Sequence, residues 1–246
     1  MGGMRMKVIF AADLHLKRHL WVNIKAIEDD TMLALQDIVT FACESDAAAI
    51  FLAGDTFDPV TSWALARYQK IVADFPGKIY GIDGQHDRSE PPWLSVGGIK
   101  GEDMHMRRIE LGGMSFFGIR NLPQAKLKQA LTQIDTPTDF LLVHQLVKSL
   151  SGAYHGWDLD NDWIPSCVST VIAGDCHIPY EFEYPGGMGY YCGSAVAQKT
   201  DEFGFDKGFF LFEDGKLTRQ FLTLRYMDKI LIEKFSDLET LETYEL

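Results

Sequence analysis

The sequence predicts an α/β protein with a largely parallel inner sheet. Three observations point there. Short apolar runs alternate with stretches of helical periodicity through residue 82. Five such runs are each followed at once by a polar cluster. The composition, 46% hydrophobic and 24% charged over 246 residues, leaves room for one large domain with a sizeable core and excludes a mostly disordered chain.

The elements follow in order. Lys7–Ala12 reads as a buried strand. Asn23–Cys43 carries Ile24, Ile27, Leu35, Ile38, Val39 and Ala42 near helical spacing. Ala47–Ala53 is a second buried strand. Thr61–Phe75 is expected as a helix, with Thr61 or Ser62 as N-cap and Pro76-Gly77 as its stop. Lys78–Ile82 is a third strand. Beyond Gly101, Met106–Leu111 and Met114–Ile119 flank Gly112-Gly113 as a hairpin. A helix over Pro123–Ile134 follows, with Pro123 in its first turn. Asp139–Val143 and Ser169–Ala173 are further buried strands, separated by an aromatic loop with Tyr154, Trp157 and Trp163. From Gly189 to Leu224 strands and turns are expected, with Asp214-Gly215 as a hairpin turn. The acidic end, Glu233–Leu246, spaces Phe235, Leu238 and Leu241 for a short helix.

Charge and cysteines narrow the function classes. Twenty-three basic against 35 acidic residues give a net charge of −12, which excludes an overall basic nucleic-acid binder. Any phosphate partner then requires a local patch, a metal or another subunit. The four cysteines form no C-x-x-C pair, and the apolar run at Val8–Ala12 is cut by Asp13, too short for a signal peptide or membrane span. A reduced cytoplasmic setting without membrane attachment is the expectation.

The five strand ends carry the chemistry. They read Asp13-x-His15, Gly54-Asp55-x-x-Asp58, Gly84-Gln85-His86-Asp87, His144-Gln145 and Gly174-Asp175-x-His177. Strand carboxyl ends converge on a crevice in α/β sheets, so these groups are expected to meet on the same side of one sheet. The glycines before Asp55, Gln85 and Asp175 are expected to permit tight turns. Carboxylate oxygens and imidazole nitrogens suit manganese, iron, zinc or magnesium. Taken singly, each is as easily a capping aspartate or a hydrogen-bonded core histidine; the joint pattern is what points to a metal site.

In this order the motifs resemble the calcineurin-like metallophosphoesterases. Ala53–Asp58, Val143–Gln145, Ile172–Pro179, Tyr191–Ser194, Asp201-Glu202 and Lys207–Phe210 are similar to the SbcD-type nucleases of bacteria and phages and their eukaryotic double-strand-break relatives. The resemblance spans roughly residues 6–224. It implies an α/β/β/α sandwich, two mixed sheets packed face to face and flanked by helices, over 1–224, with 225–246 as a short acidic segment. It implies two divalent ions, usually Mn2+, with Mg2+ as the alternative. By motif position Asp13, His15, Asp55 and His177 would hold the first, with Asp55 bridging. Gln85, His144 and Asp175 would complete the second, while His86 would act on the leaving oxygen. The ions would turn a shared water into the attacking hydroxide. Asp58 and Asp87 fall outside the ligand pattern and are expected either to support the ligands from behind or to be structural.

Gln85 replaces the family's Asn and Asp175 its His, and both changes fall on the same expected metal. Lys17, Arg18 and Arg88 would supply phosphate contacts, and Trp93, Tyr154, Trp157 and Trp163 are candidates for base stacking. The implied function is a metal-dependent DNA nuclease in end processing, repair or recombination, in a bacterial cell or phage-infected host, with an SbcC-like ATPase and a homodimer formed through core helices. Arg225–Ile232 resembles the entry to the capping domain of such nucleases, and the chain stops at Leu246. The alternatives are a phosphoesterase acting on nucleotides or phosphoproteins, and a non-enzymatic binding or regulatory subunit.

Overall fold

A computed structural model describes residues 6–18, 29–151 and 156–222. The short helix expected within Glu233–Leu246, Tyr154 and the 225–246 segment lie outside the described residues.

Among the described residues the chain forms two six-stranded sheets. The first takes β1 (Val8–Ala11), β2 (Ala49–Ala53), β3 (Lys78–Ile82), β4 (Glu102–Asp103), β11 (Gly208–Glu213) and β12 (Lys216–Phe221), in the order β12-β11-β1-β2-β3-β4. The second takes β5 (Arg108–Leu111), β6 (Met114–Ile119), β7 (Thr138–His144), β8 (Val168–Gly174), β9 (Tyr180–Tyr184) and β10 (Gly187–Tyr191), in the order β5-β6-β7-β8-β10-β9. The β1–β2–β3 and β6–β7–β8 pairings are parallel, and the flanking hairpins are antiparallel. Asp214 (φ 55°) and Gly215 (φ 77°) make the expected turn between β11 and β12.

Strand alternation builds the layers. Val8, Phe10, Phe51, Phe140 and Leu142 point between the sheets, where Phe51 stacks on Phe116 at 4.3 Å and Phe10 lies 4.9 Å from Phe140. Ile9, Ala11 and Leu52 point outward onto α1 (Asp30–Glu44) and α2 (Ser62–Val72). Leu141 and Val143 point the other way, onto α3 (Gln124–Leu131). Both faces of the inner strands are therefore covered, which is why they read as unbroken apolar runs. The α2 cap is Thr61, whose Oγ1 accepts from the Ala64 N–H at 3.1 Å.

Two expectations are corrected. The five polar strand ends do not share one sheet: β1, β2 and β3 belong to the first, β7 and β8 to the second. Face-to-face packing brings both sets to the same edge of the sandwich. Trp93 is no stacking platform, since it is 1% exposed and packs edge-on against Phe57 and Tyr68. The described part of α1 begins at Asp30, and the expected start at Asn23 lies outside the described residues. The β9–β10 hairpin, turning at Pro185-Gly186, was missed: Tyr180–Tyr184 alternates aromatic residues with glutamates, the period-two signal of a half-exposed strand, but lacks the contiguous apolar run that marks the buried ones.

Candidate metal centre

Each candidate ligand sits at a strand's carboxyl end, where the chain leaves the ladder abruptly. Asp13 (φ 52°), His15 (φ 46°), Asp55 (φ 48°) and Asp175 (φ 84°) all adopt left-handed backbone. Such conformations cost roughly 1–3 kcal/mol each for non-glycine residues and cluster at functional sites. The loops after the neighbouring strands β1 and β2 are tied to each other by hydrogen bonds from the Asp13 N–H to the Gly54 carbonyl (3.1 Å) and the His15 N–H to the Asp55 carbonyl (2.9 Å). Asp87 is fully buried, and its carboxylate accepts from the backbone N–H groups of Thr56 and Gly84, both at 2.7 Å.

Close approach, more than turn geometry, explains the glycines. Only Gly54 among the three needs a left-handed backbone (φ 91°). A Cβ on Gly54 or Gly174 would collide with the His144 imidazole, and one on Gly84 with the Asp55 carboxylate. The glycines are the walls against which the ligands lie.

The side chains converge. Asp13, His15 and His177 form one group able to share an ion; Asp13, Asp55 and His144 form a second. His15 Nε2 and His177 Nε2 face one another at 3.1 Å. Two nitrogens on one ion, each about 2.1 Å from it at 90–109°, would stand about 3.0–3.4 Å apart. Asp55 Oδ2 lies 3.2 Å from His144 Nε2 and 3.9 Å from His15 Nε2, between the two groups. His144 Nδ1 is 2.7 Å from the Ala53 carbonyl, which it serves as donor, so Nε2 is the atom turned inward.

Orphaned atoms test the fit. His15 Nδ1 is buried without a hydrogen-bond partner, and the buried Asp55 Oδ2 and His144 Nε2 have only each other, 3.2 Å apart. Buried polar atoms left this way are costly, and two of them, Asp55 Oδ2 and His144 Nε2, belong to one potential ligand set. The oxygen-and-imidazole donors fit divalent ions. The electrostatics agree. Burial opposes ionisation of Asp55, yet His144 and His15 outweigh it and hold the pKa at about 2. Burial likewise opposes charge on His144, but Asp55 and Asp13 push its pKa well above the usual histidine value. Burial raises Asp13, with His144 and His177 pulling against it. An ion entering here would take the place of the proton that these carboxylates favour on His144, since only neutral imidazole and ionised carboxylate act as ligands.

The remaining candidates surround this centre. Gln85 is exposed, and its Nε2 donates to Asp175 Oδ1 at 2.6 Å. The Asp175 N–H donates to the Asp13 carboxylate at 3.1 Å. His86, also exposed, places Nδ1 3.2 Å from Asp58 Oδ1 on an open cleft of about 400 Å³. Lys17 lines the same cleft and is paired with Asp58 at 2.7 Å. Arg18 is exposed, and Arg88 donates to the Asn121 side-chain and backbone oxygens. Trp157 and Trp163 pack on each other, under Lys148 and Lys128.

Sequence reasoning missed two roles. Asp58, expected to support the ligands or be structural, itself forms a third group with His15 and His86; the aspartate three residues after Asp55 was the available signal. Glu202, seen only as part of a motif, stands behind His177 with Lys207, and burial notwithstanding these partners hold its pKa at about 2.

No family model matches the chain. Among curated proteins, the DNA double-strand break repair protein Mre11 of Haloferax volcanii is 25% identical over 221 residues, covering 81% of this chain and 48% of that protein. The chain thus spans about half the length of that relative. Among solved structures, a dimetal phosphatase from Danio rerio matches with TM-score 0.56 at 12% identity, over 84% of this chain and 91% of the other. GAP50, an anchor in the inner membrane complex of Plasmodium, matches with TM-score 0.56 at 14% identity, over 97% and 94%. An archaeal phosphodiesterase matches with TM-score 0.51 at 12% identity, over 88% and 100%. At these identities the structures establish the fold alone. The two-sheet sandwich, the candidate dimetal cluster at its edge and the distant likeness to Mre11 together give this chain the calcineurin-like metallophosphoesterase fold and a remote relationship to the Mre11/SbcD proteins.

Proposed function

We propose that this chain is a metal-dependent phosphodiesterase that cuts DNA, a nuclease of the Mre11/SbcD kind. The observation that supports it most is the convergence of Asp13, His15, Asp55, His144 and His177 from two sheets, with His86 and Asp58 on the open side. Held by these five, with Gln85 and Asp175 at the mouth, two divalent ions would polarise a phosphoryl oxygen and acidify a water. The hard donors of Gln85 and Asp175 favour Mn2+ or Mg2+.

The chain's own groups do the rest. Buried carboxylates would repel a phosphodiester unless cations offset them, so substrate binding and ion binding are coupled. Asp58 orients His86 through Nδ1; as the imidazolium, the ring carries a second proton on Nε2 that it would hand to the departing oxygen, returning to the neutral form. Lys17 holds Asp58 in that position. With the net charge at −12, DNA affinity rests on local contacts from Lys17, Arg18 and Arg88 and on partners, an SbcC-like ATPase and a second copy of the chain, acting in DNA repair or recombination. Among the described residues no helix is long and apolar enough to cross a membrane.

The test is incubation with Mn2+ and labelled single- and double-stranded DNA, beside a small phosphodiester, with His86→Ala and Asp55→Asn as controls. DNA cleavage lost in both controls supports the proposal. Turnover of the small ester alone points to a nucleotide or phosphoprotein substrate instead. A second reading, a binding or regulatory subunit, is favoured by one observation: Gln85 and Asp175 satisfy each other across the mouth. Absence of any turnover by protein carrying bound Mn2+ would select it.

A further inference from the structure

The candidate ligands all come from strand ends, but the group that fixes one of them does not. Glu202 closes a short 3-10 turn (Thr200–Glu202) beyond β10, and its side chain is 4% exposed. Oε1 lies 2.7 Å from His177 Nδ1. Oε2 accepts from Lys207 Nζ (2.9 Å), Ser194 Oγ (2.9 Å) and the Gln198 N–H (3.0 Å). The same partners grip the His177 backbone: its carbonyl accepts from the Ser194 N–H at 3.0 Å and from Lys207 Nζ at 3.3 Å. His177 is thus held by ring and main chain at once.

We propose that Glu202 is a positioning residue that locks His177 with its proton on Nδ1, turning the Nε2 lone pair toward His15 and Asp13. This rests on the metal-centre reading above. An ionised carboxylate only accepts hydrogen bonds, so the neutral ring facing it must place its one N–H on Nδ1. Nε2 is then the bare nitrogen, 3.1 Å from His15 Nε2 and 3.9 Å from Asp13 Oδ1. Lys207, 10% exposed on its side chain, supplies the countercharge that a buried carboxylate requires. Carboxylate partners behind metal-bound histidines orient the ring and raise its basicity, and their loss typically weakens metal binding about 10–100-fold. Ser194, Lys207 and Glu202 lie within one 14-residue stretch, so a single loop sets this ligand's geometry.

Two measurements test this in the full chain. The first is the long-range proton–nitrogen NMR spectrum of the His177 ring in metal-free protein, at a pH where the ring is neutral. The second is Mn2+ affinity by calorimetry. Wild type should show the Nδ1–H form of His177. Glu202→Gln should lose its dominance and bind Mn2+ about 10–100-fold more weakly. The double variant Glu202→Gln, Lys207→Met removes both charges together, leaves none buried alone, and should behave the same way if the single variant folds poorly. Glu202→Asp, which keeps the charge, should recover part of the affinity. An unchanged His177 tautomer in folded Glu202→Gln overturns the proposal, whatever the affinity. Wild-type protein that shows the tautomer but binds no Mn2+ overturns the metal-centre reading and leaves Glu202's hold on the ring established.

Discussion

Gly84→Ala perturbs the candidate centre without removing a ligand. Gly84 does not occupy the left-handed region, so alanine is tolerated by its backbone. The added methyl, however, would overlap the Asp55 carboxylate and stand 2.6 Å from the Asp55 backbone nitrogen. Carbon contacts want about 3.5 Å, so the β2 and β3 loops must part by about 1 Å. Overpacking of this kind costs about 1–3 kcal/mol. At about 2–4 °C per kcal/mol for a domain of this size, Tm should fall by about 2–12 °C. The displaced carboxylate should also weaken Mn2+ binding, by about 10–100-fold if it behaves like the loss of a ligand's support. Gly97→Ala is the control: its backbone is not left-handed either, and a Cβ there meets nothing within 4 Å. Thermal melts by circular dichroism and Mn2+ calorimetry on both variants are the assays. If Gly84→Ala matched Gly97→Ala in both, Asp55 would not lie against Gly84 as described, and the reasoning would fail.

Other outcomes follow from the same geometry. His86→Ala should lower turnover of a phosphodiester about 10²–10⁴-fold; an unchanged rate would remove His86 from the proton path. Phe51→Ala, which empties the stack between the sheets, should cost about 3–5 kcal/mol in a denaturant titration, and a loss under ~1 kcal/mol would contradict the packing. Thr61→Ala deletes the α2 cap and should cost about 1 kcal/mol by the same titration. Mn2+ at a hundred times its Kd should stabilise the fold by about 2.7 kcal/mol, raising Tm by about 5–11 °C over protein in EDTA. Identical melts in the two conditions would argue against a metal centre.

How far the sequence could be read depended on the range of each interaction. Buried strands announce themselves through contiguous apolar residues, and the Thr61 cap and Asp214-Gly215 turn through chemistry within a few positions. The ligand types were visible because each closes its own strand. Their arrangement was not. Gly174 looked like a turn residue, yet its lack of a side chain serves the His144 ring, which reaches back 91 residues to the Ala53 carbonyl. Asp58 looked peripheral because no local pattern tells that His86 folds onto it.

The amino-acid sequence alone determined the apolar strands, the helices that cover them and the set of acids and imidazoles at the strand ends, since all depend on neighbours in the chain. Only the tertiary structure decided that two sheets share those ends, that His15 meets His177 across 162 residues, and that Glu202 stands behind His177. Contacts of that span arise from the register and face-to-face packing of the sheets, which no local stretch of residues encodes.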